Sequence, residues 1–190
     1  VGLQAMKLVQ ALGARPTGTV GSEEKATWLR QQGFEDVLVR ESDFAGQLQR
    51  DERRFDLVLD AIGGQVQIAS FDALNPMGRL VVFGAAEFTP SHNRPNYLKA
   101  AWRYLRRPRY DVMEMISSNR SVLAFNLIWL WEQKGKMQAL LEELQTIPLP
   151  PPHVGHRFAF EDAHEALALL RSGQSVGKVV LETLRAPFES

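Results

Sequence analysis

"FDLVLDAIGGQVQIASFDALNPMGRLVVFG", residues 55–84, decides how the chain folds. Phe55–Asp60 is a mostly apolar run closed by an acidic residue, the character of a strand covered on both faces, as in a parallel sheet. "AIGG" follows, and Ile68, Phe71 and Leu74 recur at the three-residue spacing of a helix. "NPMG" at 75–78 makes a turn, and "RLVVFG" at 79–84 forms another buried strand. Strand, helix and strand in this order are the unit from which open α/β sheets are wound. In such sheets ligands sit outside the carboxyl ends of the strands.

The same rhythm extends towards the amino end. In "VGLQAMKLVQALGA", residues 1–14, Ala5, Leu8, Val9 and Leu12 follow the three-and-four spacing of a packed helix, and Gly13 ends it. Thr17, Thr19 and Val20 support a strand with Pro16 at its start, and "DVLV" at 36–39 supports another. Between them Ser22 caps a helix whose first turn carries Glu23 and Glu24, and Gly33 stops it. Towards the carboxyl end the rhythm breaks over 85–120, where Tyr97, Leu98, Ala101, Trp102 and Leu105 suggest an amphipathic helix. "RSVLAFNL" at 120–127 is a strand, and Trp131, Met137, Leu140, Leu141 and Leu144 suit a helix. "PLPPP" at 148–152 is a stiff connector, which sets the expected domain boundary between 1–147 and 148–190. Beyond it come a strand at "HRFAF", a helix at "EDAHEALALLRSG", a strand at "GKVVLE" and a loose tail.

The totals narrow the function classes. The 190 residues carry 22 basic and 22 acidic side chains, so no bulk charge draws the chain to nucleic acid or an acidic membrane. Lys99, Arg103, Arg106, Arg107 and Arg109 gather in "KAAWRYLRRPR", read here as the solvated face of an amphipathic helix. With no Cys there is no disulfide framework and no thiolate-bound zinc, which fits a reducing compartment; a cytoplasmic location is expected. The apolar run "SVLAFNLIWLW" is too short for a membrane span, which needs about 20 residues. His92, His153, His156 and His164 are scattered, with no metal-ligating pattern, so no metal site is expected. No G-x-S-x-G elbow accompanies them.

The runs "ALGARPTGTVGSEEKATWLRQQGFEDVLV", "FDLVLDAIGG", "GRLVVFG", "SVLAFNL" and "FEDAHEALALLRSGQSVGKVVLE", in this order, resemble the cofactor half of the medium-chain dehydrogenases/reductases, specifically their zinc-independent quinone oxidoreductase branch. The likeness covers nearly the whole chain. It implies a Rossmann-type parallel sheet with helices on both faces, followed in 148–190 by a strand-helix-strand segment of the catalytic domain. In the family a strand and a turn reading "AAGGVGLAA" lead into the first helix, where a dinucleotide pyrophosphate rests. "VGL" at 1–3 is similar to the end of that turn, with Gly2 as the last glycine of the fingerprint, the one that lets helix and sheet pack closely. The first strand is then absent from the sequence. In the strand order 3-2-1-4-5-6 it is central, so its neighbours are expected to leave backbone groups unpaired and the chain to be destabilised.

The resemblance also implies site residues. Gly21, Ser22 and Lys25 lie where an NAD-binding fold usually carries an acidic residue for the ribose 2′-OH; hydroxyl, amide and cationic donors suit a 2′-phosphate instead, so NADP(H) is the expected cofactor. The plainer reading is that Ser22 caps a helix and Lys25 is solvated. Arg40 stands where relatives often have Tyr or His beside the adenine, or is a surface arginine. Asp60, Gly63 and Gly64, then Phe83, Gly84 and Ala85, match turns bordering the nicotinamide and its ribose; the glycines are needed by the turns in any case. Phe125, Asn126 and Leu127 match the strand beside the carboxamide, and Lys178 matches a lysine near the cleft, although Ser175 stands where an amide donor is usual.

No catalytic residue is assigned. The function implied is hydride transfer from NADPH to an electron-poor carbon of a quinone- or enone-type substrate, with little activity in these residues alone. The competing reading is a non-catalytic dinucleotide-fold module that binds or dimerises; a methyltransferase is weaker, since "GSEEK" and "GKVVL" have no evident role in one. In either of the first two readings a homodimer through the strand at 120–127 is expected.

Overall fold

The computed structural model describes residues 1–86, 101–102 and 104–183. Lys99, Arg103, Tyr97, Leu98, His92 and the tail from 184 lie outside them. The chain divides into two compact units, Val1–Val39 with Glu143–Ser190, and Arg40–Glu142. Residues 148–190 share a unit with the opening helices.

In the first unit, α1 (Gly2–Ala11), β1 (Gly18–Val20), α2 (Glu23–Gln31) and β2 (Val37–Val39) follow one another. β1 and β2 pair in parallel, Gly18 opposite Val37. Met6, Ala26, Leu29, Phe34 and Val37 form one buried cluster, with Leu3, Val20 and Trp28 packed on it; the buried residue of α1 is Met6 and not one of the expected stripe Ala5, Leu8, Val9 and Leu12, of which Leu12 is 66% exposed. The close approach of helix to strand falls at Gly18, where an added Cβ would come within 2.9 Å of Met6 Cε. Gly2, expected to be that close-packing glycine, would meet nothing within 4 Å. After the prolines, β6 (Val154–Ala159), α7 (Ala163–Ser172) and β7 (Lys178–Glu182) complete this unit. β6 and β7 are parallel and Gly173, at φ 69°, ends α7 as anticipated. This segment rests on α1 and α2: Gln4 Nε2 donates to the Pro150 carbonyl at 3.0 Å, and the His153 ring lies 5.0 Å from that of Trp28.

The second unit contains α3 (Phe44–Arg50), β3 (Phe55–Asp60), α4 (Gly64–Asp72), β4 (Leu74–Val82), α5 (Val112–Ser118), β5 (Ser121–Ala124) and α6 (Lys134–Gln145), at whose end the chain passes into the first unit. Its sheet is parallel, in the order β3-β4-β5. Phe71, Leu74 and Leu80 form the core, covered by Val58, Val82, Tyr110, Met115 and Val122. Among the described residues β1 pairs only with β2 and β3 only with β4, so none occupies the central position of the expected order.

Three local expectations are corrected. α3 had no place in the sequence reading, yet Asp43 caps it, its carboxylate accepting from Gly46 N–H at 3.0 Å, and Phe44 and Leu48 are buried. "NPMG" is a bulge within β4 rather than a turn before it. The pairing of Phe55 with Leu74 gives way to Leu57 with Arg79, Met77 adopts φ 69°, and its N–H donates to the Asn119 carbonyl. Finally, β3 is not covered on both faces: Val58 packs inward, but Leu57 and Leu59 are 49% and 42% exposed. Successive strand residues point to opposite faces, so these two share a side.

Candidate functional site

Ten of the fifteen expected site residues fall in the second unit, nine of them at the carboxyl ends of β3, β4 and β5 and the tenth, Arg40, at its start. Asp60, the last residue of β3, is only 3% exposed. Its carboxylate accepts the Ile62 N–H at 2.9 Å and the Gly63 N–H at 3.1 Å, tying down a turn that a side-chain cap does not otherwise hold. Gly63 and Gly64 take φ 89° and 58°, where a Cβ is strained. Phe83 N–H donates to the Asp60 carbonyl and Ala86 N–H to the Ala61 carbonyl, both at 3.0 Å, so the turn after β4 lies on the turn after β3. Gly84 makes that contact possible, since a Cβ there would lie 3.0–3.2 Å from Ala61 backbone and side-chain atoms. Phe125 N–H continues the ladder to the Val82 carbonyl, and its ring stacks on Phe83 with centroids 6.3 Å apart. Asn126 Oδ1 accepts the Ile128 N–H at 3.0 Å and opens a short 3-10 turn beginning at Leu127. Ala85, Phe125, Asn126 and Leu127 are exposed.

The electrostatics of this edge centre on Asp60. Burial holds the Arg40 guanidinium below its ordinary ionisation range, and the Asp60 charge pulls it back up. Arg40 therefore feels the charge of a carboxylate of its own unit, which the sequence did not suggest. Tyr110 was missed altogether. Burial first, then the charge of Asp60, pushes its ionisation up to about 12, and its ring lies 4.9 Å from Phe71. Its hydroxyl is shielded from solvent with Gln67 nearby, but among the described residues no hydrogen bond of normal geometry satisfies it. No motif marks a tyrosine placed just before a helix cap.

The remaining five residues lie in the first unit. Ser22 is the N-cap of α2, its Oγ accepting the Lys25 N–H at 3.5 Å, and Gly21 precedes it, exposed. The Lys25 ammonium donates to the Gly173 carbonyl just past α7. Gly2 opens α1, and Lys178 opens β7. Two of the histidines make structural contacts: besides His153 on Trp28, His156 Nε2 accepts the Val176 N–H at 3.3 Å. Among the described residues no three His, Asp or Glu converge on a point, and no helix is long and apolar enough to cross a membrane.

At the ends of β3 and β4 a Cβ on Gly63 would lie 3.8 Å from Ala85 Cα and one on Gly84 would crowd Ala61, while Asp60 holds the Ile62 and Gly63 amides. A family model described as zinc-binding dehydrogenase matches residues 32–181, a span that includes this edge. The chain belongs to the zinc-binding dehydrogenase family.

Relatives within and around this family are distant in sequence. The human synaptic vesicle membrane protein VAT-1 homologue is 22% identical over 95% of this chain and 47% of its own length. Highly reducing polyketide synthase 40 of Fusarium mangiferae is 27% identical over 96% of this chain but only 7% of its own. Among solved structures, the quinone oxidoreductase of Thermus thermophilus, determined also with NADPH, superposes with a TM-score of 0.71 at 26% identity, covering 95% of this chain and 54% of that one. The CurK enoyl reductase gives 0.65 at 24%, covering 94% and 50%. The chain thus spans about half the length of these oxidoreductases and has their Rossmann-like α/β fold of parallel strands and helices.

Proposed function

We propose that these residues form the cofactor half of an NADPH-dependent oxidoreductase that passes hydride to an electron-poor carbon of a quinone or enone. The observation that carries the reading is the glycine-lined edge where the Asp60 turn and the Phe83–Ala85 turn touch, in a chain of this family. When bound, the dinucleotide supplies the hydride; the chain's own part is to seat it. Asp60 fixes the Ile62 and Gly63 amides, Gly63, Gly64 and Gly84 keep side chains out of the way, and Phe83, Ala85, Phe125, Asn126 and Leu127 wall the edge. Gly21, Ser22 and Lys25 suit a 2′-phosphate, Gly2 and Lys178 the pyrophosphate end, and Arg40 the adenosine side. Support for NADPH over NADH comes from the hydroxyl and ammonium at 22 and 25 and from the NADPH-bound Thermus oxidoreductase.

In this reading 148–190 is the segment that meets the catalytic domain, groups that donate protons to substrate lie outside these 190 residues, and the residues alone turn over little substrate. The protein is cytoplasmic, consistent with its lack of Cys. A second copy pairs along β5, where Leu123 and Phe125 are 51% and 49% exposed. Thermal melting with NADPH and NADH tests the cofactor. A ligand of the folded state at 100 times its Kd adds about 2.7 kcal/mol and raises the Tm. NADPH is expected to raise it more than NADH at equal concentration; no shift at millimolar NADPH overturns the proposal. A sedimentation experiment giving only monomer at high concentration would remove the dimer.

A further inference from the structure

Lys25 and Trp28 stand three residues apart on α2, which places them on one helix face. Both touch the C-terminal segment: the Lys25 ammonium donates to the Gly173 carbonyl, and the Trp28 ring lies 5.0 Å from His153. Gly173 is the left-handed residue that ends α7, so its carbonyl belongs to the negative end of that helix. Lys25 also sits in the first turn of α2, its own N–H bonded to the Ser22 cap, where the proposed function places the 2′-phosphate. An ammonium has three donors, and one carbonyl takes one of them.

We infer that Lys25 is a two-sided specificity residue whose ammonium stands between the carboxyl end of α7 and the cofactor's 2′-phosphate, so that NADPH binding and the seating of the C-terminal segment on α2 reinforce each other. The inference rests on the cofactor reading for its phosphate side and on the observed contact for the other. The physical reason is charge. A phosphate brought to this end of α2 without Lys25 faces the negative end of α7 unscreened; with it, both negative groups share one cation. NADH, which carries only a hydroxyl at that place, gains nothing from the arrangement. Ser22 keeps its capping role in either state.

The test is amide hydrogen exchange over Leu169–Gly173, read in the wild-type chain and in Lys25→Met, each alone, with NADPH and with NADH. Methionine keeps much of the apolar stem on Trp28's face while removing the charge. In the ligand-free proteins, exchange at the end of α7 is expected to be about threefold faster in Lys25→Met. NADPH is expected to slow it in the wild type and NADH not, and Lys25→Met should weaken NADPH at least about tenfold and NADH less than about twofold. Equal ligand-free exchange in the two proteins overturns the coupling whatever the cofactor does. Failure of the wild type to bind NADPH instead overturns the cofactor reading, and the ligand-free comparison still decides the contact. Binding of NADPH with no protection of α7 also overturns the coupling.

Discussion

The two groups of residues proposed for the cofactor, one in each unit, are built on different principles. At β3 and β4 the site is backbone: Gly63, Gly64 and Gly84 in close or left-handed geometry, and a buried Asp60 spending its carboxylate on two amides. At α2 it is side chain: Ser22 and Lys25, partly exposed, each already engaged by the fold itself. The first cannot be altered without unsettling its unit. The second can be altered with the fold intact, and that is where discrimination between related ligands is cheaply tuned. Specificity and scaffold thus separate by location.

The contrast is broken most directly at Asp60. Asp60→Ala leaves the Ile62 and Gly63 amides and the nearby Arg40 without their carboxylate and is expected to cost about 3 kcal/mol in urea unfolding. A loss below about 1 kcal/mol would show that the turn holds itself. Gly84→Ala comes next, at about 2 kcal/mol, because the neighbouring atoms at 3.0–3.2 Å include Ala61 backbone and only a small shift is open to them. Ser22→Ala is smaller, about 0.5–1 kcal/mol, since the cap it removes is long at 3.5 Å; an equal loss in both groups would erase the distinction. The smallest effect is in alkali. Tyr110 keeps its proton to about 12 when folded but ionises near 10 when unfolded. Its contribution is therefore complete below pH 10 and declines as pH rises towards 12, where the unfolded chain loses its proton first. Tyr110→Phe should lose less Tm between pH 9 and pH 11 than the wild type does.

The same separation explains what could be read from the residues alone. "FDLVLD", "SVLAFNL" and "GKVVLE" announced their strands because apolar runs bounded by turn residues have few other solutions, and Ser22, Gly33 and Gly173 punctuated helices as their chemistry requires. The glycines at 63, 64 and 84 could be placed at a strand edge, since a residue lacking Cβ advertises backbone geometry. Tyr110 and the influence of the Asp60 charge on Arg40 were illegible, because long-range electrostatic neighbours leave no periodic trace. α3 escaped because a seven-residue helix, Phe44–Arg50, presents barely two turns of pattern. The "NPMG" bulge escaped for the opposite reason: Pro and Gly signal a break equally well inside a strand and before one.

That bulge sets the height of one rim against the other. Through the residues gathered at Asn75–Gly78, Asp60 comes to lie opposite Val82 instead of three positions earlier, a displacement of about 10 Å along the strand. Met77 accepts an unfavourable backbone state to hold the alignment, pinned by Asn119. Drawing the same residues out into a plain strand would carry the Phe83 shoulder about 10 Å beyond the Gly63 shoulder, whereas excising three of them would leave the two level.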